Sequence, residues 1–384
     1  MVTWPAMPLA KPFRALRYDV RRVGPLDALV APPYDVITPP VRERLLAASP
    51  FNVVRLVRPH DPAAAAATLD TWRAGGILVR EEAPAVWLLA EEFAGPDGVR
   101  RTRRGLVVRI KLEPYTAGVV LPHERTFPGP KEARLRLLRA TRTKLSPLLL
   151  LHDGSTPGAA PERDPDFEAA LDGSRSRLWR LREENEVDAA LASLAAPFVI
   201  ADGHHRYETA LRFHEEDGTP ETGYVLATLV SREDSGLVVF PTHRIASGPI
   251  PELNGRFRTE RLRVKPPEAL GLLRELPLDR PAFVVVRRDG LELAEADPVG
   301  TGPLAVLDTT AVDSLGLADV AFTASAVEAE TAVAEGRADA AFLVRAPTVD
   351  QVEAVARAGE TMPQKSTYFF PKLTSGLLLS PFDE

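Results

Sequence analysis

The sequence predicts a mixed α/β protein of the α+β kind, and three stretches carry this prediction. In Pro197–Leu211 an apolar strand ends at an Asp-Gly turn, after which apolar residues recur at helical spacing. Ala85–Phe93 and Arg103–Ile110 read as strands on either side of a GPDG turn, which predicts a hairpin. Residues 321–359 alternate strand, helix, strand and helix, so the C-terminal part is predicted to be an α/β lobe.

Size and composition restrict the classes of function. The chain has 384 residues, more than one average domain, so two or three domains are expected. A net charge of −6 disfavours a dedicated nucleic-acid-binding protein. The absence of cysteine excludes thiolate nucleophiles, thiolate metal sites and disulfides. Because no signal peptide and no apolar span of membrane length occur, we expect a cytoplasmic protein without a membrane partner.

Residues 1–115 are predicted to form an N-terminal mixed α/β lobe. Thr38 is expected to cap a helix of about ten residues that has prolines in its first turn. Phe51–Val57 is predicted to be a strand and Pro62–Ala74 a helix ended by two glycines. Tyr34 and Asp35 follow two prolines and are interpreted as turn residues, with a functional role left open.

A second domain, residues 116–248, contains the most informative patterns. His123 and Glu124 follow a short apolar run and precede a Pro/Gly bend, a helix at Lys131–Thr141 and a strand at Leu148–Leu151. A carboxylate at the end of a strand suits a general base that takes the proton of a hydroxyl during phosphoryl transfer. Residues 153–195 are predicted to be an insertion: a surface segment followed by a charged helix.

The turn at residues 202–206 is the centre of the predicted site. Asp202 is predicted to be the helix N-cap, and Gly203 allows close approach of the backbone. His204, His205 and Arg206 lie at the same helix end. Free amide groups, a helix dipole and a guanidinium together predict a site for phosphate or another anion.

Later segments supply further candidate residues. Gly223–Ser231 and Leu237–Phe240 are predicted to pair as strands. His243 and Arg244 follow the second strand and form a second candidate anion-binding site. Residues 249–384 are predicted to form a C-terminal α/β lobe. Its tail is predicted to return to the site and to donate three polar side chains: Lys365, Ser366 and Thr367.

Five motifs spread over almost the whole chain resemble the bacterial and archaeal domain of unknown function numbered ten-fifteen. They are APPYDVI at Ala31–Ile37, LPHERT at Leu121–Thr126, IADGHHRYETAL at Ile200–Leu211, PTHR at Pro241–Arg244 and MPQKSTYFFPKLTSGL at Met362–Leu377.

A more distant resemblance, over roughly residues 119–240, is to the ParB/sulfiredoxin-like superfamily and above all to its free L-serine kinases. It implies a ParB/sulfiredoxin-like catalytic core at residues 116–248. It also implies that Glu124 is the catalytic base beside His123, and that residues 202–206 hold the phosphates of a nucleotide. Arg125 stands where the kinase motif has a second acidic residue, which leaves the choice of substrate open. Sulfiredoxin chemistry is excluded because it requires cysteine, and no helix-turn-helix pattern supports a DNA-binding partition protein.

These observations lead to one main hypothesis, a small-molecule kinase that phosphorylates free L-serine from ATP or ADP. His204 or His205 would donate hydrogen bonds to the developing charge, and Mg²⁺ would be held mainly by the nucleotide phosphates rather than by protein ligands. His243, Arg244 and Lys365 are assigned to the acceptor. Two alternatives stay open: a nucleotide-binding regulatory protein without turnover, and a metal-dependent hydrolase that uses His204 or His205 with Glu208. A homodimer is compatible with the sequence.

Overall fold

The structure is a computed structural model that describes residues 8–155, 158, 160–253, 255–298 and 300–383. Its contacts divide the chain into two compact units. The first unit comprises the described residues of 1–121, 126–237 and 371–384, and the second comprises 122–125 and the described residues of 238–370. Both units combine strands and helices, which confirms the prediction of a mixed fold.

A nine-stranded mixed sheet organises the first unit. The strands of this unit up to residue 237 are β1 (Ala10–Lys11), β2 (Leu16–Tyr18), β3 (Leu78–Arg80), β4 (Val86–Ala94), β5 (Arg100–Lys111), β6 (Val120–Leu121), β7 (Thr143–Lys144), β8 (Leu148–His152), β9 (Phe167–Leu171), β10 (Ser174–Leu181), β11 (Phe198–Asp202) and β12 (Tyr224–Ser231). The sheet order is β6-β11-β8-β12-β5-β4-β10-β9, and β1 pairs with β5. The pairs β6–β11 and β8–β12 are parallel, whereas the other neighbours are antiparallel.

The helices of the first unit lie between its strands along the chain. They are α1 (Val20–Val23), α2 (Pro39–Ala48), α3 (Val54–Val57), α4 (Pro62–Ala74), α5 (Pro128–Thr141), α6 (Glu184–Ala192) and α7 (His204–Asp217). Asp61 caps α4 by accepting a hydrogen bond of 2.9 Å from the amide of Ala64. Gly218 ends α7 in the left-handed conformation, with a φ of 71°.

One apolar cluster of the first unit lies on one face of the sheet. Because side chains alternate between the faces of a strand, every second residue of the central strands enters this cluster. Tyr207 and Ala210 pack against it from α7. The burial of these side chains fixes the start of α7 against the sheet. The strand residues concerned are Val86, Leu88, Ala90, Leu106, Val108, Ile110, Leu148, Leu150, Phe198, Ile200, Val225, Ala227 and Leu229.

The second unit is built on a six-stranded antiparallel sheet. Its strands are β13 (Val238–Phe240), β14 (His243–Ser247), β15 (Phe257–Leu262), β16 (Ala282–Arg287), β17 (Gly290–Ala296), β18 (Asp319–Thr323), β19 (Ala340–Val344) and β20 (Tyr368–Phe370), and its helices are α8 (Pro266–Glu275), α9 (Asp308–Asp313), α10 (Ala326–Ala334) and α11 (Val349–Arg357). The sheet order is β15-β17-β16-β19-β14-β18. Separate apolar clusters form around α8 and α10 and around α9.

The last residues belong to the first unit. After Phe370 the chain runs through a coil segment to β21 (Ser380–Pro381), which pairs antiparallel with β7. Leu373, Leu377 and Leu378 lie beside residues of β4, β5 and β12 on a small cavity of the sheet. The tail is therefore part of the packed structure of this unit.

Three sequence predictions of local structure are wrong. Phe51–Val57 is not a strand, because its last four residues form α3. Residues 237–240 do not pair with β12; instead β13 pairs with β20, more than a hundred residues later in the chain. The region 153–195 is not a surface segment followed by one long helix, since it contributes β9, β10 and α6 and extends the main sheet.

The contacts also divide the chain differently from the predicted three parts. Strands β4 and β5 of the predicted N-terminal lobe and strands β8, β11 and β12 of the predicted core belong to one sheet. The assignment of a ParB/sulfiredoxin-like core stays a prediction. In the part of the chain that the structure describes, no helix is long and apolar enough to cross a membrane.

Candidate functional site

The predicted strand, turn and helix at the centre of the sequence are present. β11 ends at Asp202, and α7 begins at His204. Gly203 has a φ of 104°, and a Cβ added there would lie 2.6 Å from Cδ2 of Leu148. Glycine is thus required by both the backbone conformation and the space. The prediction that Asp202 caps the helix is wrong, since Gly203 is at the N-cap position and no side chain caps α7 there.

Asp202 forms the centre of a group of three charged side chains, which we call the Asp202 cluster (Asp202, Arg206 and Lys372). Oδ2 of Asp202 accepts a hydrogen bond of 2.5 Å from Arg206, and Oδ1 accepts one from Nζ of Lys372. Arg206 also donates to the carbonyl of Pro147. The side chains of the cluster are only 13–19% exposed. The carboxylate therefore holds two cations at the turn. Through Arg206 it is also linked to Pro147, the residue that precedes β8.

The charges of the cluster stabilise one another. Burial alone would raise the pKa of Asp202, but the cations Lys372 and Arg206 outweigh burial and hold that pKa below its usual range. Burial alone would lower the pKa of Lys372, but the carboxylate of Asp202 outweighs it and the pKa of Lys372 is raised. Both groups are consequently charged at neutral pH.

The Tyr34 motif lies close to the Asp202 cluster. Tyr34 starts a short 3₁₀ turn, and it lines the same cavity as Arg206 and Arg134. The guanidinium of Arg134 is 4.1 Å from the centre of the Tyr34 ring. Burial raises the pKa of Tyr34, against the charges of Arg206 and Arg134, which lower it. The sequence analysis interpreted Tyr34 as a turn residue and left its role open. In the structure Tyr34 lies beside Arg206 of the Asp202 cluster, within the first unit.

The first two turns of α7 hold the chain that follows Glu124. Nε2 of His205 accepts a hydrogen bond of 2.9 Å from the amide of Phe127, and the two rings stack. Oε2 of Glu208 accepts from the hydroxyl of Thr126 at 2.7 Å and from Nζ of Lys131 at 2.8 Å. Each of these α7 side chains thus binds the segment that leads into α5.

The histidines of the turn give little support to a protein-held metal. His204 is 5% exposed, and its charge lowers the pKa of Asp202. Nε2 of His205, one candidate ligand, accepts from a backbone amide. Glu208, the carboxylate that the hydrolase alternative needs, is held by Thr126 and Lys131. Among the residues that the structure describes, no group of three or more His, Cys, Asp or Glu side chains could hold a metal ion.

His123 and Glu124 lie in the second unit together with the first part of the tail motif, residues 362–370. Glu124 forms a parallel bridge with Met362, whose amide donates to the carbonyl of His123 at 2.8 Å. Nε2 of His123 is 3.1 Å from the hydroxyl of Thr367. Two motifs that are more than two hundred residues apart in the sequence are therefore joined inside this unit.

The residues assigned to the acceptor also lie in the second unit. His243 is 1% exposed, its Nδ1 accepts from the amide of Val344 at 3.2 Å, and burial, with Arg244 and Arg274, lowers its pKa to about 4. His243 is therefore neutral at physiological pH. Arg244 donates to the carbonyls of Thr242 and Gln364. Burial is the main reason why the pKa of Arg244 is lowered to about 10.

The other tail residues differ in their exposure. Ser366 is buried, its hydroxyl donates to the carbonyl of Pro363 at 2.6 Å, and its oxygen lies 3.1 Å from the hydroxyl oxygen of Thr309. Lys365 is exposed and has a left-handed φ of 55°. The strongest polar contacts of Ser366 are therefore structural, whereas Lys365 presents its ammonium group to solvent.

The chain matches the family model of a protein of unknown function, DUF1015, over residues 10–309. The chain belongs to this family. The match confirms the resemblance that the five sequence motifs indicated.

Several solved structures are similar to this DUF1015 protein. A mutant of free serine kinase in complex with ADP is 16% identical, with a TM-score of 0.42, and the match covers 71% of this chain and 92% of the kinase. Free serine kinase in complex with AMP is 17% identical, with a TM-score of 0.41 and coverage of 71% and 91%. SbnI with a C-terminal truncation, from Staphylococcus aureus, is 13% identical, with a TM-score of 0.39 and coverage of 72% and 87%. No curated protein matches the chain by sequence.

Sequence reasoning missed Lys372 of this DUF1015 protein and chose Lys365 from the same tail. The signal was present: Lys372 follows Tyr-Phe-Phe-Pro and precedes a leucine. Apolar neighbours predict burial, and a buried lysine usually has a carboxylate partner. Arg134 was missed because its helix offers several arginines, and only the fold shows which of them faces Tyr34.

Proposed function

We propose that this chain is a nucleotide-dependent phosphotransferase that acts on a small hydroxyl compound, with free L-serine as the first acceptor to test. The Asp202 cluster at the start of α7 is the observation that carries the proposal. The first amides of a fourteen-residue helix and its positive dipole end favour phosphate oxygens at this turn. Arg206 and Lys372 add positive charge directly behind it, which supports the assignment of residues 202–206 to the nucleotide phosphates.

Glu124 is proposed as the general base. The assignment rests on the LPHERT motif, and the hydrogen bonds of Thr126 and Phe127 to α7 support it because they fix the chain two residues after Glu124. Glu124 takes the proton of the acceptor hydroxyl while the oxygen of that hydroxyl forms a bond to the terminal phosphorus of the nucleotide. The bond from this phosphorus to the bridging oxygen breaks, and the nucleotide leaves with one phosphate fewer.

The other proposed residues stabilise charge or bind the acceptor. His204 or His205 would donate a hydrogen bond to the transferred phosphoryl group, with His123 positioned next to the base. Mg²⁺, bound mainly to the phosphates of ATP or ADP, would neutralise charge in the transition state. On the acceptor side, the exposed ammonium of Lys365 suits the carboxylate of an amino acid, while His243, Arg244, Ser366 and Thr367 would shape that side.

Phosphorus NMR tests the proposal directly. The purified protein is incubated with Mg²⁺ and ATP or ADP, with and without L-serine. We expect a phosphomonoester signal that requires both nucleotide and serine. Glu124→Gln should abolish the signal while nucleotide affinity changes less than about threefold, because the base acts on the acceptor and not on nucleotide binding. Glu132→Gln, a change of a surface carboxylate on α5, is the matched control and should keep full activity.

The outcomes separate the proposal from its alternatives. Nucleotide binding without any consumption, with serine or with other small alcohols, would indicate a regulatory protein. Release of inorganic phosphate that does not depend on an acceptor would indicate a hydrolase. A parallel loss of nucleotide affinity and turnover in Glu124→Gln would contradict the role of this residue as the base.

A further inference from the structure

A cavity in the first unit is lined by Tyr34 and by Arg206, the third residue of α7. The centres of water-sized molecules have about 60 Å³ of space in it. This is several times the space that one water molecule needs, so the cavity has room for a small group. Most of its walls come from α5 and the β7 region.

The wall of this cavity carries a surplus of positive charge. Arg134, Lys144 and Arg206 line it, and none of its described lining residues is acidic. Arg206 is compensated by Asp202, but the other two cations are not paired with a carboxylate in the described structure. Arg134 donates from one nitrogen to the carbonyl of Val57 at 2.8 Å, and its buried Nε has no hydrogen-bond partner among the described residues.

Lys144 is the more unusual of the two cations. Its side chain is 6% exposed, and its Nζ is buried without a hydrogen-bond partner in the described part of the chain. The neighbours of this amine are the ring of Phe382, whose centre is 4.8 Å away, and the positively charged Arg109. A lysine is rarely buried in a protein unless its charge is matched by a partner. In the described structure, therefore, no negatively charged group balances the charge of Lys144.

We propose that this cavity binds a small organic anion, a carboxylate or a phosphate monoester with a short apolar body, whose charged group is held by Arg134 and Lys144. The ammonium of Lys144 turns from the Phe382 ring to the anion, and the guanidinium of Arg134 offers its unused nitrogen. The apolar body lies against the aliphatic part of the wall, formed by Val57, Leu137, Leu138 and Val225. This site does not depend on the phosphotransferase proposal.

Calorimetric titration with three four-carbon probes tests the site: butyl phosphate, butyrate and the neutral n-butanol. We expect one of the two anions to bind with a stoichiometry of one and n-butanol not to bind. The anion that binds identifies the headgroup as phosphate or carboxylate. Lys144→Met and Arg134→Met keep the apolar length of each side chain and should each weaken binding at least about tenfold, since each removes a charged hydrogen bond.

Lys265→Met is the matched control, because Lys265 is an exposed lysine of the second unit. It should bind the anion as the unchanged protein does. Circular dichroism and thermal unfolding establish that the variants are folded, and Arg134→Lys provides a second, milder change at the same position. Failure of both anions to bind, equal binding of n-butanol, or unchanged affinity in both Lys144→Met and Arg134→Met would overturn the proposal.

Discussion

Nζ of Lys372 donates a hydrogen bond to Oδ1 of Asp202, a residue 170 positions earlier in the chain. The other oxygen of the same carboxylate accepts from Arg206, one helical turn after it. One carboxylate thus joins the C-terminal tail to the start of α7. The tail segment that completes the first unit and the turn proposed to hold phosphate are therefore stabilised by the same interaction.

Replacement of Lys372 by methionine should destabilise the first unit. The change removes one of the two cations of a buried carboxylate, and the loss of a charged hydrogen bond costs about 1.5–3 kcal/mol. The pKa of Asp202 should rise in the variant, because the charge of Lys372 lowers this pKa more than that of any other neighbour. Urea unfolding at neutral pH measures the change in the free energy of unfolding.

The exposed Lys265 provides the comparison for this variant. Lys265→Met should change the free energy of unfolding by less than about 0.5 kcal/mol, as surface substitutions usually do. Equal stability of Lys372→Met and Lys265→Met would show that the bond to Asp202 contributes nothing. Nucleotide affinity can be measured on the same samples, and the phosphate assignment predicts a weaker affinity only in Lys372→Met.

A pair of glycines at the two ends of α7 separates steric from conformational effects. Gly203 and Gly218 both have positive φ, 104° and 71°, but only at Gly203 would a Cβ meet other atoms. Gly218→Ala should cost about 1–2 kcal/mol, the usual penalty for this backbone region. Gly203→Ala should cost at least about 1 kcal/mol more, because Leu148 and Arg206 must also move. Similar losses of unfolding free energy in the two variants would contradict the packing described at the turn.

Local sequence patterns predicted most elements that are defined by neighbours in the chain. The hairpin of β4 and β5, the helix α4 and the turn from β11 to α7 follow from apolar periodicity and turn residues, which act over a few positions. The alternation of β18, α10, β19 and α11 was recognised for the same reason. Pairing between distant strands, such as β13 with β20, carries no local signal and was missed.

The candidate site was predicted in its residue types but only partly in its contacts. Asp202 and Arg206 do form one cluster, yet the lysine that joins them is Lys372 and not Lys365. The tail was expected to return to the central site, and a functional role of Tyr34 was left open. The structure joins Tyr34 to the turn in the first unit and His123 to Thr367 in the second, and it leaves the role of Glu124 as a proposal.

The wrong strand at Phe51–Val57 has a single identifiable cause. Asn52 is fully buried, and its side-chain amide donates to the carbonyls of Ala28 and Val30 at 2.8 and 3.0 Å. Its Oδ1 accepts from the amide of Val54 at 2.9 Å, which starts α3. A run of β-branched residues favours a strand. Here the buried side chain of Asn52 forms hydrogen bonds with three backbone groups, and these bonds stabilise the start of the helix instead.

Asn52→Ala should therefore be strongly destabilising. It leaves two carbonyls and one amide in the interior without their partner, and we expect a loss of about 3 kcal/mol or more. Asn185→Ala, at an exposed position of α6, should stay within about 0.5 kcal/mol of the unchanged protein. Urea unfolding of both variants measures the difference. A small effect of Asn52→Ala would mean that water or a backbone shift replaces the three hydrogen bonds.

Lys144 should make the stability of the first unit depend on pH in the alkaline range. Burial, with a smaller effect of Arg109, lowers the pKa of this amine from 10.5 to about 7 in the folded protein. Between these two pH values the unfolded chain holds a proton that the folded chain does not. The free energy of unfolding contributed by this group therefore rises as the pH rises from 7 to 10.5.

Lys144→Met removes this contribution, so the comparison of the two proteins isolates it from other titrating groups. At pH 7 the variant should be the more stable protein, and its advantage should shrink by about 2 kcal/mol between pH 7 and pH 9. Urea unfolding at both pH values measures the two differences. A constant difference would mean that the amine keeps its ordinary pKa and therefore has a partner in solution. A bound anion at Lys144 would have the same effect, so the experiment is repeated after dialysis against phosphate-free, carboxylate-free buffer, in which the pH dependence should reach its full size.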